Sequence, residues 1–100
     1  MRAIVIHPGQ APEETSIRDE RAIGGILGGD WTVQPMSLAP AALAYRRLSG
    51  QAMPCRYYAG RWYYGTLMLI GWHRGRVAAL NKETSDALIR QFGAVEVKEN

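Results

Sequence analysis

A chain of 100 residues, 47% of them hydrophobic and 21% charged, is predicted to form a single domain over residues 1–100. That length buries about 60–70% of the surface its unfolded form exposes, enough for one modest core. The lone cysteine, Cys55, excludes an internal disulfide, and wholly apolar runs such as Leu67 to Ile70 are far short of a membrane span. Met1-Arg2 leads straight into an apolar strand with no leader pattern, so no signal peptide is expected.

In chain order, Ala3 to Ile6 is an apolar, β-branched run predicted as a buried strand, ended by the turn His7-Pro8-Gly9. Gln10 to Thr15 is polar and holds Pro12, which predicts a loop or a poor strand. Ile23, Ile26 and Leu27 then recur at helical spacing, with Asp19 as expected N-cap and Gly28-Gly29 as the stop. Gly24-Gly25 inside that helix costs ~1 kcal/mol each relative to alanine, and is expected to let the helix lie close to a sheet.

Trp31 to Gln34 and Ala41 to Leu48 read as strands, with a turn at Ser49-Gly50-Gln51. A hairpin tipped by Ala59-Gly60 follows, then one long strand over Trp62 to Trp72. The turn His73-Arg74-Gly75-Arg76 leads into a strand from Val77 to Leu80. Asn81 caps a helix over Lys82 to Phe92, with Gly93 ending it, and Ala94 to Lys98 alternates as a last strand. The expected class is α+β: mostly antiparallel sheet with two short helices packed on one face.

Charge is unevenly placed. The net +3 conceals a stretch, Trp31 to Lys82, with seven basic residues and no Asp or Glu. Eight of the nine aromatics lie in the same stretch, and ten of the twelve basic residues are arginine. Arginine forks onto phosphate and stacks on flat rings, so this segregation predicts an anionic partner.

The segment "CRYYAGRWYYG", residues 55–65, concentrates the pattern. With Ala59-Gly60 at the tip, Tyr58 lies opposite Arg61, Tyr57 opposite Trp62, Arg56 opposite Tyr63 and Cys55 opposite Tyr64. Alternation puts Cys55, Tyr57, Trp62 and Tyr64 on one face, expected to be core. Arg56, Tyr58, Arg61 and Tyr63 share the other, which is expected to take a nucleotide: phosphates on Arg56 and Arg61, the base on Tyr58 and Tyr63. Arg46, Arg47 and Arg74 are secondary ligand-binding candidates. Cross-strand decoration and a protein-binding hot spot are the competing readings of the same residues.

No catalytic set is read from the sequence. His7 reads as a capping or core residue, His73 as an exposed turn residue, and Cys55 as a small buried hydrophobe. One cysteine and two distant histidines predict no metal site, and no cofactor is expected. Gly24 to Gly29 lacks the lysine and hydroxyl of a phosphate loop. Glu13, Glu14, Asp19 and Glu20 read as an acidic helix start.

"MRAIVIHPGQAPEE", a short helix ending "ILGGDWTV", and "YGTLMLIGW" followed by "GRVAALNKETSDALIRQF" resemble the family called domain of unknown function 3846. The shared anchors are Pro8-Gly9, Gly28-Gly29, Gly65-Thr66 and Gly71; where that family tends to carry Asn-Arg, this chain has Cys55-Arg56. The resemblance implies a small phage or mobile-element accessory protein in a bacterial host's cytoplasm, acting against host defence. Composition and resemblance together predict a non-enzymatic protein that sequesters a nucleotide immune signal, as a homo-oligomer closing over its ligand. An inhibitor of a host restriction or CRISPR nuclease, or a nucleic-acid binder, is the alternative.

Overall fold

The computed structural model describes residues 1–37, 40–48 and 52–99; the expected Ser49-Gly50-Gln51 turn lies outside them. Eight strands and two helices follow in the order β1 (Arg2–Ile6), β2 (Glu13–Ser16), α1 (Arg21–Leu27), β3 (Thr32–Pro35), β4 (Ala41–Tyr45), β5 (Pro54–Tyr58), β6 (Arg61–Tyr64), β7 (Leu67–His73), β8 (Arg76–Ala78), α2 (Lys82–Gln91). The fold is α+β. The main sheet runs β2-β1-β7-β4-β3, with β8 also paired to β7, and all its pairings are antiparallel.

β7 is the centre of this sheet because its residues are apolar on both faces. Leu67 and Leu69 point to one side, where Ile4, Ile6, Leu43 and Tyr45 join Leu88 and Phe92 from α2 and its cap. Met68 and Ile70 point to the other, where Ala3, Ala42 and Ala44 meet Ile23 and Leu27 of α1. The two helices therefore cover opposite faces, which corrects the one-face expectation. A central strand that is buried on both sides requires a cover on each.

The long strand expected from Trp62 to Trp72 is broken. Gly65 adopts φ +76°, and the chain changes sheets there. β5 and β6 form a separate two-stranded ribbon laid over the α2 side of the main sheet, where Cys55 and Tyr63 join the core.

The first helix begins at Arg21 rather than Asp19, whose carboxylate Oδ1 accepts the Arg21 backbone N–H at 2.9 Å. The Gly28 and Gly29 N–H groups both return to the Gly24 carbonyl, at 2.8 and 2.9 Å. A methyl added at Gly25 would meet nothing within 4 Å, and one at Gly24 would make only ordinary contacts with Gly29 and the Trp31 ring. Neither glycine is demanded by close packing on the sheet. Asn81 caps α2 as expected, its Oδ1 accepting the Thr84 N–H at 2.7 Å. Ala94 to Lys98, expected as a strand, joins no sheet.

Glu13 and Glu14 lie in β2, not at a helix start. Glu14 Oε1 accepts the Ser85 hydroxyl at 2.7 Å and lies 3.3 Å from Arg2 Nε and 3.7 Å from Lys82 Nζ, tying β2 to α2. The Ser85 hydrogen bond, helped by the two cations, holds the Glu14 carboxyl below the ordinary carboxylate range. A depressed carboxyl stabilises the fold above its unfolded value, ~4.3, and that contribution is lost as pH falls through the folded value. The melting temperature should therefore drop on acidification below about pH 4.3, and drop less in Glu14→Gln, as followed by circular dichroism. Equal acid sensitivity in the two proteins would refute this role.

Candidate anion-binding corner

The ribbon is built as its sequence predicts, up to its base. Ala59 at φ 51° and Gly60 at φ 84° form the tip, a two-residue turn with positive φ at both positions, whose twist suits a hairpin. Tyr58 pairs with Arg61, Tyr57 with Trp62 and Arg56 with Tyr63. A bulge between Pro54 and Arg56 puts Pro54, not Cys55, opposite Tyr64.

The faces, however, are reversed. The side holding Arg56, Tyr58, Arg61 and Tyr63 packs inward. Arg56 is 0% exposed. Its Nε and Nη2 donate to the Phe92 carbonyl at 3.2 and 3.1 Å, Nη2 also to the Gln10 carbonyl at 2.7 Å, and Nη1 to the Cys55 carbonyl at 2.9 Å. A guanidinium committed to three backbone carbonyls in the interior does not meet a ligand, so the assignment of Arg56 to phosphate binding is corrected. Tyr63 is buried against Tyr45, edge to face at 4.7 Å, and burial raises its phenol pKa. It offers no open face to a base. Tyr58 is half-buried against Phe92 at 5.8 Å, and its phenol oxygen lies 3.4 Å from the Ser37 N–H. Tyr57 and Trp62, expected as core, form the outer face, with Tyr57 51% exposed.

Arg61 is the member of the four that stays accessible. Its guanidinium lies 4.7 Å from the Tyr63 ring centroid and 5.3 Å from that of Tyr45. The two rings hold a long side chain in one place, which reduces the entropy lost when it grips an anion.

Tyr45, under Arg61, packs on the α2 side of the sheet, the face opposite that of Trp31. It ends β4 opposite Thr32, and Arg46 and Arg47 follow it directly. Arg46 is half-buried against the Gly28-Gly29 turn: a methyl at Gly29 would meet its guanidinium at 3.0 Å. A cation there faces the carbonyl end of α1, a favourable placement. Arg47 is exposed and, with Asp30, Trp31 and Thr32, lines a cleft of about 280 Å³. One corner of the sheet, where β3 begins and β4 ends, thus holds Arg46 and Arg47 beside Trp31, which packs on the α1 side, whereas Arg61 lies over Tyr45 on the opposite, α2 side. Among the described residues none of these arginines forms an ion pair with a carboxylate, although Asp30 shares the cleft. Trp31 and Tyr45 were not singled out from the sequence; the run Tyr45-Arg46-Arg47 was the available signal.

Arg74 does not join them. It occupies the β7–β8 turn with φ 52°, while the β4 end lies level with the start of β7, where Ala44 faces Met68. The five residue steps from Met68 to His73 span about 17 Å.

The nucleophilic and basic side chains sit elsewhere. Cys55 is buried, donates toward the Ile6 carbonyl at 3.5 Å, and has its thiol pushed up to about 11 by burial. That suits packing, not attack. His7 is exposed, not core, with Nδ1 3.0 Å from the Thr66 hydroxyl. His73 is an exposed residue at the end of β7. Among the described residues no group of three metal-ligating side chains gathers, and no helix is long and apolar enough to cross a membrane.

Comparison with protein-family models, curated proteins and solved structures finds no match to this chain.

Proposed function

We propose that this protein holds a nucleotide-like anion at the β3–β4 corner and acts by sequestration rather than by chemistry. In the biological setting the family resemblance implies, it is a phage or mobile-element protein that withdraws a nucleotide immune signal in the host cytoplasm.

The observation that supports this reading is Arg47 sharing one cleft with Trp31, with Arg46 beside it against the Gly28-Gly29 turn. A phosphate accepts forked hydrogen bonds from guanidinium groups, and a base stacks on an indole with ~1–3 kcal/mol of stabilisation. The cleft of about 280 Å³ admits a base or a sugar phosphate, not a whole dinucleotide. The remainder of a larger ligand would extend over the exposed arginines. Binding of this kind needs no general base and no nucleophile.

Sequestration has a distinctive readout. Heat-denatured protein purified from infected cells should release a nucleotide, chemically unchanged and in stoichiometric amount, identified by mass spectrometry. Release of a hydrolysed product, or of no nucleotide, contradicts the reading. A nucleic-acid reading draws on a different observation, the exposed Arg74 and Arg76 of the β7–β8 turn. It requires oligonucleotide affinity that falls steeply with salt and depends on those two residues.

A further inference from the structure

The segment after α2 has the alternating pattern of a strand, Glu96 and Lys98 turned to the ribbon and Val95 and Val97 to solvent, yet it has no partner strand. Among the described residues no backbone–backbone hydrogen bond joins Val95–Lys98 to another element. Its attachments are by side chain: Glu96 Oε2 accepts the Tyr57 backbone N–H at 2.7 Å, and Lys98 Nζ lies 6.0 Å from the Tyr64 ring centroid. Val95 and Val97 face outward instead, and Val97 is 80% exposed. Together with Met53 and Tyr57 they are the exposed large hydrophobics among the described residues; Met53 adjoins the base of the ribbon and Tyr57 lies one pair from its tip. A groove of about 180 Å³ runs between this segment and Met53-Pro54. An open strand edge beside exposed apolar side chains is a template for pairing with another chain.

The charges around Val97 identify that chain. Antiparallel pairing of the segment with itself, centred on Val97, sets Val97 opposite Val97 of a second copy. It sets Glu96 opposite Lys98 and Lys98 opposite Glu96. Directly opposed residues share a face with Cβ atoms about 4.5–5.5 Å apart, so both cross-chain pairs are of opposite charge. A two-fold contact must be self-complementary, and Glu-Val-Lys around a central valine meets that condition. We propose that residues 95–98 are an interfacial strand, and that two copies of this chain associate through antiparallel pairing about Val97. The proposal rests on the unpaired strand alone and holds whether or not the corner binds a nucleotide.

Sedimentation equilibrium from micromolar to millimolar protein tests this, with circular dichroism confirming that each variant is folded. The native chain should show a monomer–dimer equilibrium. Val97→Asp should weaken it at least tenfold, as should Glu96→Lys or Lys98→Glu alone by setting like charges opposite each other. The double variant Glu96→Lys/Lys98→Glu should restore it. Val97→Cys should oxidise to a covalent dimer, because Cys55, the only native cysteine, is buried and an opposed pair meets disulfide geometry. A native chain that remains monomeric throughout overturns the proposal. So does a dimer indifferent to Val97→Asp, or a double variant no better than the single ones.

Discussion

Arg56→Ala should destabilise the fold by about 3 kcal/mol or more, lowering the melting temperature by roughly 15 °C. The side chain is fully enclosed and donates to the carbonyls of Phe92, Gln10 and Cys55. It thereby joins the end of α2, the loop after β1 and the base of the ribbon. Removing it strips charge-assisted hydrogen bonds from three carbonyls and leaves a cavity besides. Among the described residues the buried charge has no carboxylate partner; Phe92 caps α2, and its carbonyl belongs to the negative end of that helix. Arg56→Met fills the volume without donors, and Arg56→Lys keeps the charge without the planar fork. Both should fall between alanine and the native chain. Urea unfolding measures all three. A native-like midpoint for Arg56→Ala would remove this side chain from the account of what holds the ribbon down.

Gly71→Ala should be comparably harmful for the opposite reason. A Cβ at residue 71 would lie 2.4 Å from the Ala78 carbonyl oxygen and 2.6 Å from that of Ala79. Both are backbone atoms of the returning chain, which cannot rotate away as a side chain would. Gly71 is buried on the central strand and pairs with both Ala41 and Ala78. Relief requires opening the β7–β8 ladder or shifting β4. The cost should be about 3 kcal/mol, at the upper end of the range for overpacked cores. Gly25→Ala, at an exposed helical position with nothing within 4 Å, is the control and should stabilise by up to ~1 kcal/mol. If both substitutions behave alike under urea, close backbone approach is not what position 71 requires.

Local chemistry in the sequence was a sound guide where a short segment decides its own geometry. Ala59-Gly60 marked the hairpin tip, and the pairing of Arg56, Tyr57 and Tyr58 with Tyr63, Trp62 and Arg61 follows from it. Asn81 marked the start of α2. The failures share one cause: they depend on residues distant along the chain. Which face of the ribbon turns inward is decided by carbonyls at Gln10 and Phe92, 46 and 36 residues from Arg56. Alternation separates two faces but does not say which one is buried. Placing α1 and α2 on opposite sides required knowing that β7 is central, a matter of strand order rather than of local pattern. Arg46 and Arg47 were legible as candidates because acids are absent around them. That Arg61 would lie over Tyr45 on the other face of the sheet, and Arg74 at the far end of β7, depends on how the ribbon packs and on the register of β4 with β7.

Titration of the purified protein with nucleoside mono-, di- and cyclic phosphates, followed by tryptophan fluorescence, bears most directly on the corner as a binding site. Saturable binding of one ligand per chain should appear and should weaken about tenfold in Arg46→Ala or Arg47→Ala. It should persist in Arg74→Ala, and the optical signal should vanish in Trp31→Phe. No saturable binding of any of these ligands, or equal loss in Arg74→Ala, would contradict the site assigned to Arg46, Arg47 and Trp31.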